Sequence, residues 1–234
     1  LETIYMGGGT PTTMTPSQLG KILAAVESSF DMSYLGEFTV EAGRPDTIDM
    51  DKLNTIKAAG VTRISINPQT LQDDVLKTIG RRHTVKQFYD AFEAARKCGF
   101  KNINADLIAG LPGDSIEGFK SSINGMLSLA PESITVHTLA IKRASNLVKN
   151  QREDYDNGAH TVGMVDFSIA QLKASGYRPY YLYRQSKTLG GTENTGWAKP
   201  GYEGLYNVYI MDETHSILAC GAGAVTKLRQ PGED

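Results

Sequence analysis

The chain has 234 residues, of which 40% are hydrophobic and 21% are charged, and its formal net charge is −2. This balance, with a sequence pI near 6.1, argues against nucleic acid as a partner, because nucleic-acid-binding domains concentrate Lys and Arg. No apolar run approaches the roughly 20 residues that cross a bilayer, and no signal segment opens the chain, so we expect a cytoplasmic protein with no membrane partner.

The two cysteines, Cys98 and Cys220, lie far apart in the sequence. Their spacing fits neither a disulfide framework nor a closely spaced metal motif, so we expect both to be small buried residues and predict no metal ligands in this chain. The chain begins without methionine and directly in a predicted strand. We therefore expect it to be a piece of a longer protein with further residues upstream.

The first predicted strand, residues 4–6, runs into three glycines, Gly7, Gly8 and Gly9, and then into Thr10 and Pro11. Glycines just past a strand leave no Cβ between the backbone and a ligand, which is typical of a binding loop. The alternative is that the glycines only turn the chain into the next helix.

Strand and helix patterns alternate through the next part of the chain. Capping-box patterns at Thr15 and Thr84 and a capping Asp49 predict helix starts, and glycines such as Gly60 predict helix ends. Apolar runs predict further strands at 38–40, 63–66, 103–108 and 134–139. This alternation predicts a parallel sheet wound toward an open or closed barrel.

The pattern changes after a polar link at 142–157 and a helix that ends at Gly176. Residues 180–183 predict a strand, and residues 205–211 with 216–219 predict an antiparallel hairpin that turns at 212–215. The Gly-rich and Pro-rich stretch 190–201 predicts an irregular loop that is either functional or disordered. We therefore divide the chain into a barrel of residues 1–177 and a C-terminal β extension of residues 178–234.

Polar residues follow several of the predicted strands: the glycine loop, Glu41, Gln69 and Asp106. Ligands of parallel α/β folds bind at the carboxyl ends of the strands, so these residues predict a pocket for a polar molecule with hydroxyl and amino groups. Arg81 is a candidate partner for a carboxylate. The alternatives are that each acid caps the next helix and that Arg81 is a solvated surface charge.

The order and spacing of these segments resemble the radical S-adenosylmethionine enzymes of the oxygen-independent coproporphyrinogen III oxidase family. The segments that carry the resemblance are 7–11 (GGGTP), Glu41, 60–69, Gly80 and Arg81 with His83 and Thr84, and 104–113 (NADLIAGLPG). Residues 178–185 and 193–196 are similar to the coproporphyrinogen dehydrogenase subgroup of anaerobic haem synthesis.

The resemblance implies an α/β fold, a TIM-barrel-like partial (β/α)6 barrel of radical SAM type that lacks its first β/α unit and carries a C-terminal antiparallel hairpin extension on the substrate side. It implies S-adenosyl-L-methionine and a [4Fe-4S] cluster as cofactors. Gly8, Gly9 and Thr10 would meet the methionine amino group, and Arg81 would meet the carboxylate. Glu41, Gln69 and Asp106 would surround the ribose and the methionyl part. Ala140 and Val225 would pack on the adenine.

The family holds its cluster with a Cys-x3-Cys-x2-Cys loop just after the first strand, because iron-sulfur clusters need thiolate ligands. That motif is absent from this sequence, and neither Cys98 nor Cys220 replaces it. We therefore expect this chain alone to be inactive. We also expect its first strand to present an open edge to other chains.

The activity that the resemblance implies is the oxidative decarboxylation of two propionates of coproporphyrinogen III to vinyl groups, with an electron donor such as flavodoxin or ferredoxin. Candidate substrate contacts are basic or aromatic: Arg143, Arg178, Arg184, Lys187, Tyr181, Tyr183 and Trp197. The alternative for each is a mixed exposed surface. We interpret His137 as a core residue with a satisfied ring nitrogen, and we assign no catalytic residue.

Two other functions stay open from the sequence. One is a haem chaperone of the same family, which keeps the barrel without decarboxylating. The other is a catalytically silent nucleotide-binding module that has lost its cluster. A three-cysteine loop upstream of Leu1 in the parent gene would favour the enzyme.

Overall fold

A computed structural model describes residues 1–140, 158–186 and 188–229 of the chain. The predicted link at 142–157 and two of the candidate substrate contacts, Arg143 and Lys187, lie outside the described residues. Among the helices that are described, none is long and apolar enough to cross a membrane.

Seven strands form one sheet that curls into a half-barrel, in the order β1-β2-β3-β4-β5-β7-β6. The strands are β1 Thr3–Met6, β2 Glu37–Glu41, β3 Arg63–Ser65, β4 Ile103–Ala109, β5 Ser133–Thr138, β6 Arg178–Tyr183 and β7 Asn194–Ala198. The first five pair in parallel, and β7 runs antiparallel to both of its neighbours. The predicted partial barrel is confirmed.

The helices with a predicted capping residue begin where the sequence predicts. The helices of the described chain are α1 Pro16–Ser29, α2 Met50–Ala58, α3 Asp73–Thr78, α4 Val85–Lys97, α5 Ile116–Leu129, α6 Ala159–Ala174 and α7 Leu205–Asp212. Thr15 and Thr84 form capping boxes, and Asp49 accepts a hydrogen bond from the backbone of Lys52. The short helix α3 was not predicted from the sequence.

The two faces of the sheet differ in polarity because side chains alternate along a strand. The face under the helices is apolar and forms the buried core, with Phe38, Val40, Ile64, Ile103, Ala105, Leu107, Ile134 and Val136 among its members. The alternate, concave face carries polar residues, which are Tyr5, Glu37, Thr39, Glu41, Arg63, Ser65, Asn104, Asp106, Ser133, Thr135 and His137. The hollow of the half-barrel is therefore a polar surface.

The predicted hairpin of residues 205–211 with 216–219 was wrong, and the antiparallel pair of this part of the chain is instead β6 with β7. Residues 205–212 are helix α7, and β6 pairs with β7, which lies inside the stretch predicted to be irregular. Burial of Trp197 and the hydrogen bond from the Thr138 N–H to the Asn194 side chain, 2.6 Å, hold β7 against β5. Tertiary contacts therefore override the local turn composition.

Helix α7 contacts both edge strands of the sheet, β1 and β6. The Glu37 carboxylate accepts from the N–H groups of Leu205 and Tyr206, at 2.9 and 3.4 Å, and so satisfies the start of the helix. The Tyr206 ring stacks on Tyr5 with 4.5 Å between centroids, and the Asn207 amide donates to the Tyr180 hydroxyl. The helix thus joins the two sides of the half-barrel.

The prediction that Cys98 and Cys220 are both buried was wrong for each of them. Cys98 is half-buried at the end of α4, and Cys220 is exposed in the segment after α7. The division of the chain at residue 178 stays a prediction, since β6 and β7 belong to the same sheet as the parallel strands.

Candidate functional site

The glycine loop follows β1 and lies beside the end of β2. A Cβ on Gly7 would be 2.4 Å from Cε1 of Tyr5 and 2.7 Å from Oε2 of Glu41, so a larger residue there would displace these side chains. Gly8 has φ +84°, and neither Gly8 nor Gly9 has a heavy atom within 4 Å of an added Cβ. The loop backbone is therefore open to a ligand on this side. The carbonyl of the next residue, Thr10, accepts from the Thr13 backbone and hydroxyl.

Glu41, at the end of β2, lies near Asp106, another acid of the concave face. The Tyr5 hydroxyl donates to Glu41 Oε2 at 3.2 Å, and the Gly8 N–H also donates to this carboxylate. Burial raises the pKa of Glu41, and the nearby Asp106 carboxylate raises it further, against the effect of these hydrogen bonds. An entering cation would relieve the repulsion between the two acids.

Asp106, on β4, is surrounded by hydrogen-bond donors. The Asn104 side chain donates to Oδ1 at 2.7 Å, and Nε2 of His137 lies 3.6 Å from Oδ2. Burial acts to raise the pKa of Asp106, but the donors His137, Asn104 and Thr135 outweigh it and the pKa is lowered. The lowered pKa keeps Asp106 ionised, whereas the pKa of Glu41 is raised.

Gln69 lies against β4 in a strained backbone conformation. Its N–H donates to the Asp106 carbonyl at 3.0 Å, and its own carbonyl accepts from Ile108 at 2.9 Å. Its φ is 70°, which is unusual for a residue other than glycine. The side-chain amide has no hydrogen-bond partner in the part of the chain that the structure describes, so it is available to a ligand.

Arg81 follows α3 and lies near Arg44 and Asp46. Its guanidinium is half-buried and makes no hydrogen bond or ion pair with the residues described. Burial lowers the pKa of Arg81, as does the neighbouring Arg44, whereas Asp46 acts in the opposite direction. Arg44 is itself paired with Asp46 at 2.7 Å. Within the part of the chain that the structure describes, Arg81 is therefore a cation without a paired anion.

The structure thus brings Glu41, Asp106 and the backbone of Gln69 together directly. Arg81 belongs to the adjoining Arg44 cluster, which is joined to Glu41 by residues 42–43. Ala140 lies two residues beyond β5, in a bridge to Thr188 at the same rim. Val225 is 78% exposed in the C-terminal segment, whose contacts run to Glu213, Thr214 and Ser216. The adenine contact of Val225 stays a prediction.

The candidate substrate contacts are separated by the structure. Tyr181 and Tyr183 reach the concave face, where their hydroxyls contact Thr135 at 3.3 Å and His137 at 3.4 Å. Trp197 was assigned wrongly, because it is 2% exposed in the apolar core. Arg178 pairs in register with Ala198, level with Ser133 at the start of β5, and Arg184 pairs with Glu193 on the surface. Neither arginine therefore lies with the acids.

Sequence reasoning also misplaced His137. Its ring nitrogens are satisfied, as expected, but by Asp106 and Tyr183 on the polar face rather than within an apolar core. Sequence reasoning also did not identify Tyr5, Asn104 and Thr135 as residues of the site. The signal that identifies all four is the alternation of polar residues along the strands, which places them on the same face as Glu41 and Asp106.

Comparisons with known proteins bear on the family and the fold of the chain. A family model described as the Radical SAM superfamily matches residues 1–124. The oxygen-independent coproporphyrinogen-III oxidase-like protein HemZ of Bacillus subtilis is 44% identical over 229 residues, which cover 97% of this chain and 46% of the relative. The heme chaperone HemW of the same organism is 35% identical, over 96% of this chain and 56% of the relative.

Among solved structures, coproporphyrinogen III oxidase (HemN) from Escherichia coli superposes with a TM-score of 0.78 at 22% identity. The match covers 97% of this chain and 52% of that chain, and at this identity it supports the fold alone. The chain spans about half the length of the relatives that it matches.

Proposed function

The chain belongs to the Radical SAM superfamily, and on that premise we propose that it is the S-adenosylmethionine-binding part of an oxygen-independent coproporphyrinogen III oxidase or dehydrogenase. The whole protein would oxidatively decarboxylate two propionates of coproporphyrinogen III to vinyl groups for haem synthesis, with electrons from a donor such as flavodoxin or ferredoxin. The observation that carries the proposal is the pair of acids, Glu41 and Asp106, beside an open glycine loop at the strand ends.

The donor and acceptor groups of the site fit S-adenosylmethionine. That molecule carries an ammonium and a sulfonium, which suit the two acids, and a carboxylate, which suits the unpaired guanidinium of Arg81. In this proposal Gly8, Gly9 and Thr10 hold the amino group, and Glu41, Gln69 and Asp106 surround the ribose and methionyl part. Ala140 and Val225 cover the adenine.

The residues of this chain do not fit a [4Fe-4S] cluster. Cys98 lies at the end of α4, Cys220 lies in the exposed C-terminal segment, and the described residues contain no group of three metal-binding side chains. Since cluster binding requires several thiolates, we propose that another part of the whole protein supplies them. This chain alone would then bind S-adenosylmethionine without cleaving it.

The concave face would act on a bound ligand through fixed polar groups. Tyr5 and the Gly8 N–H hold Glu41, while Asn104 and His137 hold Asp106, so both acids are oriented before a ligand arrives. In the whole enzyme, bound S-adenosylmethionine supplies the oxidant that removes hydrogen from the substrate. Tyr181 and Tyr183 line the same face and are our candidates for contact with the porphyrinogen.

Calorimetric titration of S-adenosylmethionine into the 234-residue chain tests the binding site. We expect saturable binding that Asp106→Asn weakens. Absence of binding would contradict the proposal. The reaction is tested with the whole protein, reconstituted with its cluster under anaerobic conditions, by following protoporphyrinogen formation.

A second candidate function is that of a haem chaperone, which the 35% identity to HemW supports. It predicts that the whole protein binds haem stoichiometrically and forms no protoporphyrinogen. The third candidate, a silent nucleotide-binding module, predicts that the parent sequence contains no three-cysteine loop. Decarboxylation by the whole protein would exclude both.

A further inference from the structure

His137 connects the acid of the site to a tyrosine on a different strand. Its Nε2 lies 3.6 Å from Oδ2 of Asp106 on β4, and its Nδ1 lies 3.4 Å from the hydroxyl of Tyr183 on β6. The side chains of His137 and Asp106 are 26% and 18% exposed. Both ring nitrogens thus face polar partners, the Asp106 carboxylate within ion-pair distance and the Tyr183 hydroxyl at hydrogen-bond distance, and the imidazole lies between two strands.

The partners determine the tautomer of a neutral ring. A carboxylate only accepts hydrogen bonds, so Nε2 must carry the hydrogen that points to Asp106. Nδ1 is then an acceptor, and the Tyr183 hydroxyl donates to it. Tyr183 O–H, the imidazole and the Asp106 carboxylate therefore form a chain in which each member orients the next.

From this chain we propose that His137 and Tyr183 are positioning residues that turn the Asp106 carboxylate toward the ribose hydroxyls of S-adenosylmethionine. The inference rests on the proposed function, because Asp106 is there assigned to that part of the ligand. Asn104 holds Oδ1 from the other side at 2.7 Å, so the plane of the carboxylate is defined by donors at both oxygens. Neither positioning residue needs to touch the reacting atoms.

Titratable groups on three strands interact with His137. Within the described part of the chain they are Asp106 on β4, Glu41 on β2 and Tyr183 on β6. β7, which lies between β5 and β6, contains no titratable side chain. Replacing the imidazole therefore removes a donor from Asp106 and also removes an interaction that lowers the pKa of Glu41.

A ligand-free measurement decides the positioning role. The carboxyl carbon of Asp106 is titrated by NMR in the 234-residue chain and in His137→Phe, His137→Gln and Tyr183→Phe. We expect the midpoint to rise by about one pH unit in His137→Phe, because a hydrogen bond to the charged form is lost. His137→Gln keeps a donor at a similar distance along the side chain and should restore most of the shift. An unchanged midpoint in His137→Phe overturns the inference.

Nitrogen NMR of the imidazole tests the role of Tyr183 in the same samples. We expect His137 to hold its hydrogen on Nε2 in the parent chain and to become a mixture of tautomers in Tyr183→Phe. A parent ring that carries its hydrogen on Nδ1 would overturn the proposed chain. Both NMR measurements are read without cofactor, so they decide the inference even if the proposed function fails.

Calorimetry with S-adenosylmethionine then tests the consequence for binding. We expect His137→Phe to weaken affinity about 10-fold and to move the acidic loss of affinity to higher pH, with His137→Gln close to the parent. Equal affinities and equal pH profiles for the parent and His137→Phe would contradict the positioning role. Failure of the parent itself to bind S-adenosylmethionine would instead contradict the proposed function.

Discussion

The ring of Tyr181 lies directly across Gly196, where an added Cβ would be 1.9 Å from Cε1 of the tyrosine. Gly196 is on β7, between β5 and the edge strand β6, so its missing side chain lets Tyr181 cross a strand and reach Thr135 on β5. A register shift between Pro179 and Tyr181 accompanies this arrangement. The aromatic wall of the concave face therefore depends on one glycine in the neighbouring strand.

We expect Gly196→Ala to destabilise the fold by about 1–3 kcal/mol, because the methyl group overlaps the Tyr181 ring and the ring must leave its position. Urea denaturation measures the loss. Gly223→Ala is the control, since a Cβ there meets no atom within 4 Å. Equal denaturation midpoints for the two variants would show that Tyr181 moves aside at no cost.

We expect Arg81→Ala to weaken S-adenosylmethionine binding by about 1.5–3 kcal/mol, the usual loss for a hydrogen bond to a charged group. Calorimetry on the whole protein with its cluster restored gives the affinity. Lys86→Ala is the matched control, because the Lys86 side chain is 80% exposed and paired with Asp90. If both variants bind equally well, Arg81 does not hold the ligand carboxylate.

We expect Asp114 to make folding stability fall as the pH rises through about 6. Burial raises its pKa from 3.8 to about 6, against the hydrogen bonds from the Ser115 backbone and Gln72, and Oδ2 is buried without a partner in the described part of the chain. The folded state therefore holds a proton that the unfolded state releases earlier, so stability is highest at low pH and is lost as the acid ionises.

The test of Asp114 is Asp114→Asn, which keeps an acceptor for Gln72 but cannot ionise. We expect the unfolding free energy of the variant not to decrease as the pH rises through about 6. At pH 7 the variant should be more stable than the parent by about 1 kcal/mol, allowing for partial solvent screening. Chemical denaturation at pH 4.5 and 7 provides the comparison. Parallel pH dependences in the parent and the variant would contradict the assignment.

We expect Glu37→Ala to loosen helix α7 by about 1 kcal/mol, because the carboxylate accepts from the first N–H groups of that helix. Amide hydrogen exchange in residues 205–212 should accelerate while exchange in α4 stays unchanged. Glu27→Ala, on the exposed face of α1, serves as the control. Unaltered protection of α7 would mean that packing alone holds the helix.

The parallel units were predictable from the sequence because local features define them. Thr15 and Thr84 fix helix starts through contacts three residues away, and glycines end helices. The rule that ligands bind at strand carboxyl ends was enough to select Glu41 and Asp106 as neighbours. These inferences need only short-range chemistry and the direction of the strands.

The C-terminal part was not predictable in the same way, since distant contacts decide its structure. Residues 205–212 have a composition that suits a strand, yet Glu37 caps them and Tyr5 stacks on them as a helix. His137 differs, since its two-residue spacing from Ser133 and Thr135 on β5 indicates its face, although its partners Asp106 and Tyr183 come from other strands. The residues close in sequence do not indicate which distant residues will contact them in the fold.

Helix α7 also joins distant parts of the sequence, since the Tyr209 hydroxyl donates to the Glu2 carboxylate, 207 positions earlier, at 3.1 Å. During synthesis on the ribosome, Tyr5 emerges well before Tyr206, so β1 must wait for about 200 further residues before Tyr5 gains its stacking partner. Contacts this remote slow folding and prolong exposure of an unpaired edge. A nascent chain stalled before residue 205 should accordingly recruit chaperones through β1.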